Sequence, residues 1–190
     1  MCVSVTKEIL ELSIEKEALM FGEFTLSAGG VSNYYFDGRI ITLDPQGANL
    51  VAQAFLPLLI DCGAEIIAGP TLGADPIVAS VSAISYTEGT PISGLIVRKE
   101  TKSHGGMRAI EGPIIHGTLS DRRIAVVDDT CSTGSSLFMA IDALEMAGSK
   151  IVKVLSILDR QMGGSREIIE RGYDFQALLE ADENGNIRPL

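Results

Sequence analysis

The run Ile124-Ala125-Val126-Val127-Asp128-Asp129, continuing into Thr130-Cys131-Ser132-Thr133-Gly134-Ser135-Ser136, constrains the fold more than any other part of the chain. Ile and Val in succession suit a strand covered on both faces, as in a parallel sheet, and Leu137, Ile141 and Leu144 then recur at helical spacing. The loop between them sits at a helix N-terminus, where unpaired N–H groups and the positive dipole end favour an anion, and Gly134 lets a phosphate approach the backbone. Two carboxylates beside that anion would repel it. Asp128 and Asp129 must therefore serve another part of the ligand, either sugar hydroxyls or a magnesium ion carried in by it. Together these elements describe a ribose 5-phosphate cradle. The competing reading is an Asp N-cap on an ordinary surface helix. Against it stand both acids directly after the strand, four hydroxylated residues before the helix, and a glycine where the helix begins. No Gly-Lys pair and no Gly-x-Gly-x-x-Gly occurs, which argues against a P-loop enzyme and a dinucleotide-binding enzyme.

With 190 residues the chain suits a single domain, 1–190, able to bury a sizeable core without disulfides. Candidate strands Glu65–Gly69, Ile92–Val97, Arg123–Asp128 and Ile151–Leu158 alternate with helical patterns or a long loop. That order predicts an α/β fold with a mostly parallel central sheet and helices on both faces. Asp44-Pro45 reads as an N-cap and first-turn proline for a helix with Leu50, Val51, Ala54, Phe55, Leu58 and Leu59 on one face. Between Phe21 and Thr42, short polar-aromatic segments around Ala28-Gly29-Gly30 predict a hairpin added to the main sheet. It would form a small N-terminal hood of about residues 1–42 with the C-terminal segment.

Cys2, Cys62 and Cys131 are odd in number and widely spaced, indicating neither a disulfide framework nor a metal site. A reducing cytoplasm fits. Lys7, Glu8, Glu11 and Glu15 interrupt the N-terminal apolar pattern, and no apolar run approaches membrane-spanning length. A net charge of −10 argues against a nucleic-acid partner. It also argues against a polyphosphate ligand, until Arg98, Lys99, Lys102 and Arg108 are set against the single acid Glu100 between them. This basic segment, Arg98-Lys99-Glu100-Thr101-Lys102-Ser103-His104-Gly105-Gly106-Met107-Arg108, follows a strand and lacks apolar periodicity, so it reads as a glycine-tipped loop able to close over a diphosphate. A solvated charged face is the bland alternative.

The acid-pair loop, Val126 to Ser136, resembles the phosphoribosyl diphosphate signature of the type I phosphoribosyltransferases. Arg98-Lys99-x-x-Lys102-x-His104-Gly105 resembles the catalytic loop of one branch, the orotate phosphoribosyltransferases. Phe21-Gly22-Glu23-Phe24-Thr25-Leu26-Ser27-x-Gly29 and Ser32-x-Tyr34-Tyr35-x-Asp37-x-Arg39 resemble the hood of that branch, although the aromatics alone also suit hairpin packing. The resemblance implies that Asp128 and Asp129 take the ribose hydroxyls, with Asp129 reaching Mg2+ directly or through water. It gives Thr130, Cys131, Ser132, Thr133, Gly134, Ser135 and Ser136 the 5-phosphate. Arg98 and the backbone of Thr71, Leu72 and Gly73 would take the diphosphate. Lys99, Lys102 and His104 would join the acids in catalysis, the loop entering the neighbouring subunit's site in a homodimer with shared active sites. Tyr34, Tyr35, Ser132 and Arg160 would hold orotate, Arg160 gripping its carboxylate through a planar guanidinium. By position alone, Arg160 also reads as an exposed strand-end arginine, and Thr71–Gly73 as a plain strand-helix connector. His116 has no motif around it.

The match runs from about Phe21 to Gly164. It departs where relatives carry lysine, at Ser27, Val31 or Gly73 here, and proline, at Asn33 here. The implied reaction joins orotate and phosphoribosyl diphosphate into orotidine 5'-monophosphate and diphosphate, a step of pyrimidine synthesis. A purine-type phosphoribosyltransferase would keep the cradle and change the hood. A non-catalytic regulator that binds the sugar diphosphate or a nucleotide would have no use for the basic loop.

Overall fold

The computed structural model describes residues 3–25, 31–99, 109–114 and 118–190. Lys102, His104, the Gly105-Gly106 tip, the Ala28-Gly29-Gly30 turn, Ser27 and His116 lie outside the described residues. Helix α1 (Val3–Glu15) leads into strands β1 (Leu19–Thr25) and β2 (Val31–Phe36), then helices α2 (Gly38–Thr42) and α3 (Pro45–Asp61). Next come β3 (Ile66–Pro70), α4 (Asp75–Thr87), β4 (Ser93–Val97), β5 (Ile110–Glu111) and β6 (Arg123–Cys131). The chain ends with α5 (Ser135–Met146), β7 (Lys150–Asp159), α6 (Gly164–Glu170), β8 (Phe175–Ala181) and β9 (Ile187–Pro189).

The sheet order is β5-β4-β3-β6-β7-β8-β9, with β4, β3, β6, β7 and β8 parallel and the edge strands β5 and β9 antiparallel. Side chains alternate between faces along each strand. Ile66, Ala68, Ile124, Val126 and Val154 therefore pack with Leu137, Ile141 and Leu144 of α5. Ile67, Ala125, Val127, Leu155 and Ile157 pack on the other face with Phe55 and Leu59 of α3 and Ile77 and Val81 of α4. Helices thus cover both faces, as the apolar strand composition requires. The chain moves from β3 to β4 in one direction and from β6 to β7 and β8 in the other. That reversal opens a crevice beyond the C-terminal ends of β3 and β6, where ligands bind in open α/β sheets.

Two expectations need correction. Strand β6 does not stop at the acids: Thr130 and Cys131 remain paired with Leu158 and Asp159 of β7, so the acids lie within the paired strand end. The hairpin does not extend the main sheet. β1 and β2 form a separate two-stranded antiparallel sheet, while β5 and β9 occupy the main sheet's two edges. The C-terminal segment braces this hairpin and α1. Asn33 donates to Asn184 O at 3.4 Å, Thr6 Oγ1 donates to Leu190 O at 3.1 Å, and Gly185 packs against Tyr34. Asp44 caps α3 as expected, accepting from the N–H groups of Gln46 and Gly47, and α3 continues through Pro57. None of the helices among the described residues is long and apolar enough to cross a membrane.

Candidate active site

Asp128 and Asp129 stand at the C-terminal end of β6, beside the crevice. Asp128 is 6% exposed; its Oδ2 accepts from Ser136 Oγ at 2.7 Å and its Oδ1 from the Asp129 N–H at 2.9 Å. Burial, then repulsion from Asp129, pushes the Asp128 carboxyl up to about 7. Burial also raises Asp129, which Asp37 reinforces and Arg39 opposes. Two glycines make room for this pair. A Cβ at Gly73 would lie 2.7 Å from Asp129 Oδ1 and 2.9 Å from Asp128 Oδ1, and a Cβ at Gly38 would lie 2.7 Å from Asp129 Cβ. Gly73 therefore has a local reason in this chain: no side chain fits there unless the acids move. Thr71, Leu72 and Gly73 join the acids, Tyr35, Arg39 and Lys99 around a cavity of about 580 Å³.

A second cavity, of about 480 Å³, lies over the loop from Thr130 to Ser136, and Lys99, Thr130 and Ser136 border both. Gly134 adopts φ +79, a left-handed conformation that glycine enters without steric cost, and α5 begins at the next residue. Cys131 is fully buried, and burial, reinforced by Asp159 and Asp128, pushes its thiol up to about 12, as suits an inert packing group. The loop rests on a residue that sequence reasoning missed. Gly164 donates its N–H to Ser132 O at 2.9 Å, and a Cβ on it would fall 2.5 Å from Gly134 N and 2.6 Å from Ser132 O. Backbone at such distances must shift. Gly164→Ala is expected to weaken ribose 5-phosphate binding by about tenfold, since anchoring depends on aligned loop donors. Titration calorimetry checks this, and affinity equal to the parent's would show that the loop tolerates the displacement.

Just past the end of β7, the Arg160 N–H donates to Cys131 O at 2.8 Å, fixing the arginine beside the phosphate loop. Its guanidinium donates from Nε to Tyr34 OH at 3.1 Å and from Nη2 to Ser32 Oγ at 3.4 Å, and lies 4.9 Å from the Tyr34 ring centroid. Arg160 is thus held against the β1–β2 hairpin rather than free in solvent. Tyr34 is buried and Tyr35 is turned to the acid-lined cavity, near Phe24. Arg98 forms an ion pair with Glu111 at 2.7 Å and borders neither cavity. In the sequence Ser32, Asp37 and Arg39 appear only as members of the hood motif, without individual roles, and Gly38 and Gly164 are not assigned to the site; the two glycines matter through non-local contacts, with Asp129 and with the Ser132–Gly134 backbone.

Among the described residues no group of three or more His, Cys, Asp or Glu side chains is placed to hold a metal ion. The acid pair instead fits a magnesium ion that draws its remaining oxygens from ligand and water.

No protein-family model matches the sequence. The chain is 42% identical over 158 residues to an orotate phosphoribosyltransferase of Nostoc sp., covering 83% of this chain and 75% of that protein. It is 40% identical over 182 residues to that of Streptomyces coelicolor, covering 95% and 97%. The Mycobacterium tuberculosis orotate phosphoribosyltransferase in complex with 5-phospho-alpha-D-ribosyl 1-diphosphate superposes with a TM-score of 0.74 at 30% identity, over 93% of this chain and 96% of that one. Sequence similarity of this extent, joined to the paired acids, the phosphate loop and the hood-held arginine, makes the chain a member of the orotate phosphoribosyltransferase family.

Proposed function

We propose that the protein transfers the phosphoribosyl group of phosphoribosyl diphosphate to orotate, releasing diphosphate and forming orotidine 5'-monophosphate for pyrimidine synthesis. The observation that carries this reading is a phosphate loop and a buried acid pair whose cavities share Lys99, Thr130 and Ser136, with an arginine tied to that loop and held by the hairpin. The 5-phosphate sits on the N–H groups of Thr130 to Ser136, and the ribose hydroxyls donate to Asp128 and Asp129. Orotate enters between Tyr34, Tyr35 and Ser132 with its carboxylate on Arg160. Its ring nitrogen gives up its proton to solvent and attacks the anomeric carbon as the bond to the diphosphate oxygen breaks, so the protein needs no nucleophile of its own. The acid pair stabilises the electron-poor ribose that develops as that bond weakens. Lys99, Lys102 and His104 receive or protonate the departing diphosphate, and the Thr71–Gly73 turn offers it backbone donors.

Magnesium held at Asp129, directly or through water, would neutralise diphosphate charge when bound. Lys102 and His104 reach the neighbouring subunit's site in a homodimer. We read the hairpin, α1 and the C-terminal segment as one hood on a single domain, in a cytoplasmic enzyme.

Supplying the purified protein with phosphoribosyl diphosphate and magnesium, together with orotate, uracil, adenine or guanine in turn, tests the reading. Orotate alone should be consumed, with diphosphate released in equal amount. Turnover of a purine, or ligand-induced thermal stabilisation with no diphosphate release, would overturn it. In the same assay Lys102→Ala is expected to lower kcat by about 30-fold with little change in KM for phosphoribosyl diphosphate. Unchanged kcat would remove this lysine from the mechanism.

A further inference from the structure

The acid-lined cavity presents an electrostatic difficulty for any ligand that carries phosphates. Asp37, Asp128 and Asp129 border it, against the cations Arg39 and Lys99. Lys99 also borders the phosphate-loop cavity, so it is shared between the two ends of the ligand. Arg39 belongs to the acid-lined cavity, together with the Thr71–Gly73 turn.

The fold aims Arg39 there through two local devices. Asp37 caps α2, its Oδ1 accepting from the Arg39 N–H at 3.0 Å and Nε at 2.9 Å, and its Oδ2 from Nη2 at 2.8 Å. That fork fixes the guanidinium plane and leaves Nη1 without a hydrogen-bond partner among the described residues. Gly38 has no side chain, which lets the start of α2 abut Asp129 and brings the next residue's guanidinium into the cavity. With Gly73 pressed against the acids, the β3 turn supplies no cation of its own, and among the described residues the only arginine bordering this end comes from α2.

We infer that Arg39 is a diphosphate-binding residue, oriented by Asp37 and donating through Nη1 to the leaving diphosphate opposite the Thr71–Gly73 turn. This rests on the reading of the crevice as a phosphoribosyl diphosphate site and adds a contact to it. Arg39 is half exposed in the ligand-free chain, so its charge is well screened there; a bound ligand that excludes water strengthens the contact.

The experiment compares the full-length protein with Arg39→Ala and Arg39→Lys, titrating inorganic diphosphate and ribose 5-phosphate separately by calorimetry. Arg39→Ala is expected to weaken inorganic diphosphate by about tenfold and to raise KM for phosphoribosyl diphosphate similarly, while ribose 5-phosphate affinity stays within about twofold. Arg39→Lys should recover part of the loss, since an ammonium keeps the charge and loses the fork. Equal weakening of both ligands, or undiminished diphosphate affinity with only a lowered melting temperature, would reduce Arg39 to a partner of the Asp37 cap and overturn the assignment. Retained ribose 5-phosphate binding also certifies the fold of each variant. Selective loss of diphosphate in a protein whose parent makes no orotidine product would sustain Arg39 and defeat the proposed reaction. Normal orotate turnover with diphosphate affinity unmoved by the substitution would do the reverse.

Discussion

Asp128→Asn is expected to lower kcat/KM for phosphoribosyl diphosphate by about 10²- to 10³-fold, while making the ligand-free protein more stable above neutral pH. Both effects come from the same burial. Asp128 is covered by the crevice wall, with Ser136 and the Asp129 N–H on its oxygens and a second carboxylate next to it in sequence. As an anion in that setting it is ready to accept ribose hydroxyls and to face a positively charged sugar, and asparagine gives up the charge and one acceptor. Without ligand, the same anion is poorly solvated and repelled by its neighbour.

The sign of the pH dependence follows from the direction of the shift. The Asp128 carboxyl lies at about 7 in the folded chain, against an ordinary value of 3.8. Between those values the folded state holds a proton that the unfolded chain has released, so stability falls as pH rises through this window and stays lower above it. Asparagine cannot ionise, so the variant should show a flatter profile, melting about 5 °C above the parent at pH 8 and near it at pH 4. Thermal unfolding with a chelator present measures this directly. Parallel pH profiles for the two proteins would mean that Asp128 is not held in its neutral form by the fold. Full activity in the variant would detach the acid pair from the ribose.

The contrast between Asp128 and Arg39 shows which parts of such a site a sequence displays. Asp128 ends an apolar run and precedes a hydroxyl-rich loop, so its strand, its edge of the sheet and its nearness to a helix N-terminus are all local properties. Thr130 and Cys131 read as loop because polar residues end most strands, yet they continue to pair with β7, since the sheet's C-terminal edge is where β7 also carries Asp159. Strand β8, Phe175–Ala181, lay outside the four candidate strands: Ala, Leu, Glu and Gln favour helix, and only its parallel pairing with β7 holds it extended. Arg39 sits in a short polar-aromatic stretch with no periodicity. Its significance arises from the contact of Gly38 with Asp129, a residue far along the chain. Gly164 behaves alike, its meaning residing in Ser132 and Gly134. Backbone approaches between distant segments leave only glycines behind in the sequence, and glycines have many causes.

Arg160→Ala should reduce kcat/KM for orotate by about 10²- to 10³-fold, with KM for phosphoribosyl diphosphate changed far less. The guanidinium is braced by Tyr34 OH and Ser32 Oγ of the hairpin, and the residue's backbone N–H ties it to Cys131 O of the phosphate loop. A braced fork meets a planar carboxylate with two parallel charge-assisted bonds, and truncation leaves that carboxylate partly desolvated and unpaired. The same geometry sets specificity. A site built around a bidentate cation rejects a ring that lacks the carboxylate, because the arginine would then be covered without a partner. Uracil should accordingly be a very poor substrate for the parent, and the orotate preference should collapse in Arg160→Ala. Arg160→Lys should remain impaired, since a point charge does not reproduce the fork. Tyr34→Phe, which removes one brace and keeps the ring beneath the guanidinium, should cost about three- to tenfold in kcat/KM for orotate. Steady-state kinetics with orotate and uracil separate the alternatives. An Arg160→Ala protein that still prefers orotate would place recognition of the carboxylate elsewhere in the hood, whereas one with an equal loss toward both pyrimidines would make Arg160 a support for the phosphate loop through Cys131.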